Sequence, residues 1–228
     1  NTSEKIKPTI VDSTPDTPDL DGIVIQSEDN NTITIQFSEK LSTASLNLNN
    51  FLVEGNVVAE KAVFTDTDQD TIKLTLKEGA IETSGTYNFT VQNVADVAGN
   101  VMDTVTQQKT FKDNDLPALT SAALTSNNST TGTSVITLTF DEALNEASIV
   151  EATAAVADFD IFVDNVALSN ATVVEAMGAT NTVTLTINRA LDATETSKTI
   201  TIKPSSGFDV EDKAGNKLPT FTSVTVSK

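Results

Sequence analysis

Phe37-Ser38-Glu39-Lys40-Leu41-Ser42-Thr43-Ala44-Ser45 returns later in the chain as Phe140-Asp141-Glu142-Ala143-Leu144-Asn145-Glu146-Ala147-Ser148, a shared F-x-E-x-L-x-x-A-S. Each copy follows a strictly alternating run. Ile33, Ile35 and Phe37 fall on one face of the first, and Ile136, Leu138 and Phe140 on one face of the second. Such a period of two marks a half-buried β-strand. A second motif follows in the same order: Asp96-Val97-Ala98-Gly99-Asn100 returns as Asp212-Lys213-Ala214-Gly215-Asn216, a shared D-x-A-G-N. A repeat of roughly a hundred residues is a whole small domain rather than a solenoid unit. The chain therefore divides into residues 1–112, a lead-in plus one domain, and residues 113–228, a second copy.

The same alternation recurs at 71–76 and 182–187, with further strands expected at 23–25, 51–53, 57–64, 86–91 and 105–111. In the second copy they are expected at 160–163, 171–175, 198–202 and 220–226. Short strands separated by Asn, Asp, Gly and Ser specify an all-β fold, two tandem immunoglobulin-like β-sandwiches of about seven strands each. An Ala-rich stretch at 147–157 suits one helical turn or a short helix. The pattern places Ile33, Ile35, Phe37, Leu74, Phe89, Ile136, Leu138, Phe140, Leu185 and Ile202 in the two cores.

Composition removes whole classes of function. Asp and Glu number 32 against 14 Lys and Arg, a net charge of −18, and Arg189 is the only arginine. With no basic patch to release counterions, nucleic acid is not a partner, and no run is apolar enough for insertion into a membrane. There is no cysteine and no histidine, so disulfides, thiolate metal sites and the usual general base are all missing. Catalysis would need a carboxylate pair such as Glu39 with Asp96, and copying that pair into a second domain is odd for an enzyme. A glycan platform wants exposed aromatic rings, and the chain offers Tyr87, no Trp and ten Phe claimed mostly by the cores. A chain that opens on Asn1 without Met reads as a mature or excised piece of a longer protein.

If each strand reverses the last, the second and sixth strands of a copy end at the pole where its first strand begins. Asp113, Asp115, Glu142 and Asp212 are then expected to converge in the second copy, and Asp12, Glu39 and Asp96 in the first. Carboxylates that meet repel unless a cation lies between them, and Ca2+ accepts six to eight oxygens in flexible geometry. Calcium bound among ligands from the short 112–117 linker would also stiffen the joint. The competing reading is structural: Asp96 and Asp212 form Asx-turns, Gly99 and Gly215 supply positive φ, and Asn100 and Asn216 close the turn. The loop Asp66-Thr67-Asp68-Gln69-Asp70 opens like an EF-hand. It has Thr71 at the turn-glycine position and Lys77 at the bidentate-Glu position, so it reads as a hairpin loop.

The T-I-x-F-S-E-x-L start, the Y-x-F-T-V strand from Tyr87 and the D-x-A-G-N loop together resemble the bacterial immunoglobulin-like domains. Such modules occur in tandem in surface-layer (S-layer) proteins of Bacillus-type bacteria and in giant adhesins. The resemblance implies a secreted, extracellular structural module of the cell-wall surface layer. Its partners would be other copies of the same protein and neighbouring domains of the parent chain, and calcium would support self-assembly into a two-dimensional lattice. The stalk of a surface adhesin is the alternative, with a glycan-binding module a third. Visible divergence between the two copies leans toward the lattice.

Overall fold

The computed structural model describes residues 17–18, 20–26, 30–149 and 157–228. It divides into two compact units, residues 1–112 and 113–228. In the first unit β1 (Leu20–Gln26), β2 (Thr32–Phe37), β6 (Thr71–Leu76) and β5 (Ala59–Phe64) form one antiparallel sheet in the order β1-β2-β6-β5. The facing sheet runs β4-β3-β7-β8, from β3 (Phe51–Val53), β4 (Asn56–Val57), β7 (Gly85–Val91) and β8 (Val105–Phe111). This is the strand order of an immunoglobulin-type sandwich.

The second unit repeats the plan. One layer holds β9 (Leu119–Asn128), β10 (Thr133–Phe140), β14 (Thr182–Ile187) and β13 (Val173–Met177). The other holds β11 (Phe159–Val163), β12 (Val166–Ala167), β15 (Ile200–Pro204) and β16 (Val224–Ser227). Here β16 also pairs in parallel with β9, Val226 opposite Ala122 and Ser227 opposite Ala123, which joins the two layers along one seam. Each unit thus has eight strands among the described residues, one more than the period-two pattern implied, because each carries a two-residue hairpin return, β4 or β12.

All ten residues expected in the cores are buried, at 0 or 1% exposure. The register explains why. Ile33 pairs with Leu74, and Ile136 with Leu185, so the apolar side chains of adjacent strands stand on the same inner face. In the second unit a line of rings runs through the core, Phe140 against Phe159, Phe159 against Phe208 and Phe208 against Phe221, with centroids 6.5, 5.7 and 6.1 Å apart.

Several boundaries differ from the sequence reading. The last strand, Val224–Ser227, is shorter than 220–226, and β9 (Leu119–Asn128) stands where no strand was expected, because small residues mask its alternation. Of the Ala-rich stretch, a 3-10 turn at Glu146–Ser148 is described, and residues 150–156 lie outside the described ones. A short helix α1 (Ala193–Ser197) stands where none was expected. Its signal was readable, since Asp192 and Glu195 form a reciprocal capping box. Arg189 then grips Glu195 through both terminal nitrogens, at 2.7 and 2.6 Å. The lone arginine is a brace for this helix.

Candidate metal centre

The two repeated motifs are halves of one interlock. In the first unit Leu41 bridges Asp96, and the Ser45 hydroxyl both accepts from Ala95 N–H (2.9 Å) and donates to Ala95 C=O (2.8 Å). In the second, Leu144 bridges Asp212, and Ser148 Oγ accepts from Glu211 N–H at 3.1 Å. Phe and Leu of F-x-E-x-L-x-x-A-S fill the core while its Ser pins the chain entering D-x-A-G-N.

That second motif is itself a closed turn. Asp212 Oδ1 accepts the N–H groups of Ala214, Gly215 and Asn216 at 2.7, 2.7 and 2.9 Å, and Oδ2 accepts from the Asn216 side chain at 2.9 Å. Asp96 accepts from the Asn100 backbone and side chain at 2.8 and 2.7 Å. Gly99 and Gly215 both sit at φ +94°, a region that L side chains adopt only under strain. Burial pushes the Asp96 carboxyl up, but the hydrogen bonds from Asn100, Gly99 and Ala98 outweigh it and hold it below its ordinary value. The turn roles read from sequence for Asp96, Asp212, the glycines and the asparagines are present in both copies.

The entering segment of the second unit is tied to this pole at two points. Asn216 Nδ2 donates to the Asp113 carbonyl at 3.0 Å. Ala118 and Asp141 exchange hydrogen bonds, Ala118 N–H to Asp141 Oδ1 at 2.8 Å and Asp141 N–H to the Ala118 carbonyl at 3.1 Å. These ties bring Asp113, Glu142 and Asp212 together, with one carboxylate oxygen of each within 4.8 Å of the others. Asp212 is buried and the other two are half-buried.

Burial is the main cause that raises Glu142, and repulsion from Asp212, Asp113, Asp141 and Asp115 adds to it, pushing the carboxyl up to about 7. The donor set is all oxygen and anionic, which suits a hard divalent cation.

Asp115 is exposed and its carboxylate stands outside the trio. Asp113 Oδ1 accepts the Asp115 N–H at 3.0 Å, and this local turn breaks the alternation that would have set both acids on one side. In the first unit the described residues gather no comparable group of three. Glu39 and Asp96 are described but stand in no such group, and Asp12 lies outside the described residues. The Asp66 loop is a hairpin turn, with Asp66 Oδ1 accepting Gln69 N–H at 2.6 Å and Gln69 at φ +60°. Tyr87 is not an open platform. Its hydroxyl donates to the Thr83 carbonyl at 2.6 Å and its ring stands edge-on to Phe111.

The family described as bacterial Ig-like domain matches twice, over residues 4–112 and 113–226. The chain belongs to the bacterial Ig-like domain family. Domains of this kind are in general structural modules without catalytic function.

Among solved structures, the N-terminal part of the bacterial S-layer protein SbsC matches this bacterial Ig-like pair at 14% identity and a TM-score of 0.35, over 93% of this chain and 44% of that one. An I-band fragment of titin matches at 11% identity and a TM-score of 0.38, over 94% of this chain and 65% of that one. Domains 1–6 of SbsC match at 14% identity and 0.36, over 90% and 34%. The bacterial Ig-like pair thus spans less than two thirds of each of these chains. No curated protein matches it. Among the described residues no helix is long and apolar enough to cross a membrane.

Proposed function

We propose that this tandem pair is a structural segment of a secreted S-layer protein, one whose copies assemble into a two-dimensional lattice on the bacterial cell surface. In this reading calcium held by Asp113, Glu142 and Asp212 fixes the entering segment of the second domain to its pole. The observation that carries the calcium part is the trio of carboxylates within 4.8 Å, two of them, Glu142 and Asp212, in the pair of motifs otherwise devoted to turn closure and core filling. Backbone carbonyls of the same loops would complete the coordination. What supports the structural role is two divergent copies of one sandwich, with no histidine and no cysteine for catalysis.

The test is a melt of the 228-residue chain in calcium and in chelator. A ligand that binds only the folded form stabilises it with the logarithm of its concentration, about 2.7 kcal/mol at a hundredfold excess over Kd. For a domain of this size that is a rise in Tm on the order of 10 °C.

Asp212 is the wrong residue to remove, because its carboxylate holds four hydrogen bonds of the turn. Glu142→Gln keeps the shape and removes one charge. It should abolish the calcium response and, in chelator at pH 8, raise the melting temperature by relieving the repulsion. Identical melts of the parent chain in calcium and chelator would leave the trio a polar turn. The cellular part is checked separately: antibody to this chain should label intact cells in a periodic surface array, and labelling confined to the cell interior would refute it.

A further inference from the structure

The four strands of one layer of the second domain, β9, β10, β14 and β13, carry a single charged residue, Glu175. Its carboxylate turns inward, accepting the N–H groups of Asp158 and Phe159 at 3.0 and 2.9 Å. The outward face of the layer is therefore uncharged in a chain of net charge −18. Its centre is made of Val135, Thr137 and Thr139 on β10, opposite Thr186, Thr184 and Thr182 on β14. At its margin Val174 on β13 is 59% exposed. Strand propensity alone does not account for this surface, because the matching layer of the first domain carries Glu60, Lys61 and Lys73.

We propose that this outward face is the surface on which one copy of the chain packs against a second copy. The inference deepens the assembly reading and rests on it, but it is independent of calcium. Copies of so acidic a chain repel one another, and an approach through this face buries no charge, which is the costly step in any contact.

Threonine hydroxyls donate and accept equally, so the face is complementary to itself, as a two-fold contact requires. Short β-branched side chains also lose little rotamer entropy when covered. Four strands about 4.8 Å apart and five or six residues long present roughly 300 Å² per copy, well under the ~800 Å² per partner of a stable dimer. Such a contact is weak alone and persists where an array holds many of them at once.

The experiment is sedimentation equilibrium of the 228-residue chain up to millimolar concentration, in chelator. Self-association with a dissociation constant in the millimolar range is expected, strengthening as salt screens the net charge. Thr184→Lys should weaken it tenfold or more, although it lowers the net negative charge. The first domain places Lys73 in the same register, opposite β2, so the fold accepts lysine there. Thr106→Lys, with the same charge change on β8, should leave association unchanged or slightly stronger.

A chain that remains monomeric at millimolar concentration would overturn the proposal, as would equal loss in both variants. So would binding of isolated wall polysaccharide that Thr184→Lys removes while no self-association is seen. None of these outcomes bears on the surface-labelling test, so the face and the cellular role fail separately.

Discussion

Phe140→Ala is expected to destabilise the second domain by about 3–5 kcal/mol, the usual cost of truncating a buried Phe. The side chain is 1% exposed and stands first in the line of rings that continues through Phe159, Phe208 and Phe221. Its removal takes away dispersion contacts on one side of Phe159. The strands on either side are fixed by their ladders, so they cannot collapse to fill the space. Urea unfolding should show the loss in the transition of residues 113–228 and leave that of residues 1–112 in place. A loss under 1 kcal/mol would mean that the side chain lies on the wrong face of β10.

The second large effect is a dependence of stability on pH that comes from Glu175. Burial raises this carboxyl to about 7 from the model-compound value of 4.5. The N–H groups of Asp158 and Phe159 lower it in part, and the charges of Asp158 and Asp160 raise it further. A folded pKa above the unfolded one means that the folded state holds the proton more tightly. The contribution to stability is thus fully present below pH 4.5 and is lost as pH rises through 7.

The second domain should therefore melt at progressively lower temperature between pH 5 and pH 8. The full shift corresponds to roughly 3 kcal/mol, and partial exposure reduces this to about 1–2 kcal/mol. Glu142 titrates in the same direction over the same window, so the comparison belongs in chelator with Glu142→Gln in both proteins. Adding Glu175→Gln should flatten the profile. Parallel profiles with and without Glu175→Gln would refute the assignment.

The sandwich was legible because its inner faces obey a period of two. Ile33-x-Ile35-x-Phe37 and Ile136-x-Leu138-x-Phe140 need no further information to be placed in a core. The convergence of Asp113, Glu142 and Asp212 was also legible, from strand parity and the order of the motifs. Parity could not distinguish Asp113 from Asp115, because a side chain that bonds its own backbone two residues on bends the segment locally.

Glu175 escaped for a related reason. In Val173-Val174-Glu175-Ala176-Met177 the acid stands at an inward position opposite Leu185, where alternation demands an apolar residue. In the matching register of the first domain Ala62 stands opposite Leu74. Only the two N–H groups of the facing layer make the inward acid intelligible, and they are far away in sequence. The brace role of Ser45 and Ser148 was hidden in the same way. A repeated Ser says nothing until the strand it pins is known.

The parallel pairing of β16 with β9 has a mechanical consequence. The second domain is entered at the start of β9 and left at the end of β16. Because the two strands run the same way, tension applied between those points slides one along the other. Their hydrogen bonds, with Ser227 Oγ to the Ala122 carbonyl, are then loaded together in shear rather than peeled one at a time. Forced unfolding is governed by the height of the barrier that such bonds impose, not by the equilibrium stability of the domain. The short β9–β16 clamp is therefore where the second domain would first resist a pull on its two ends.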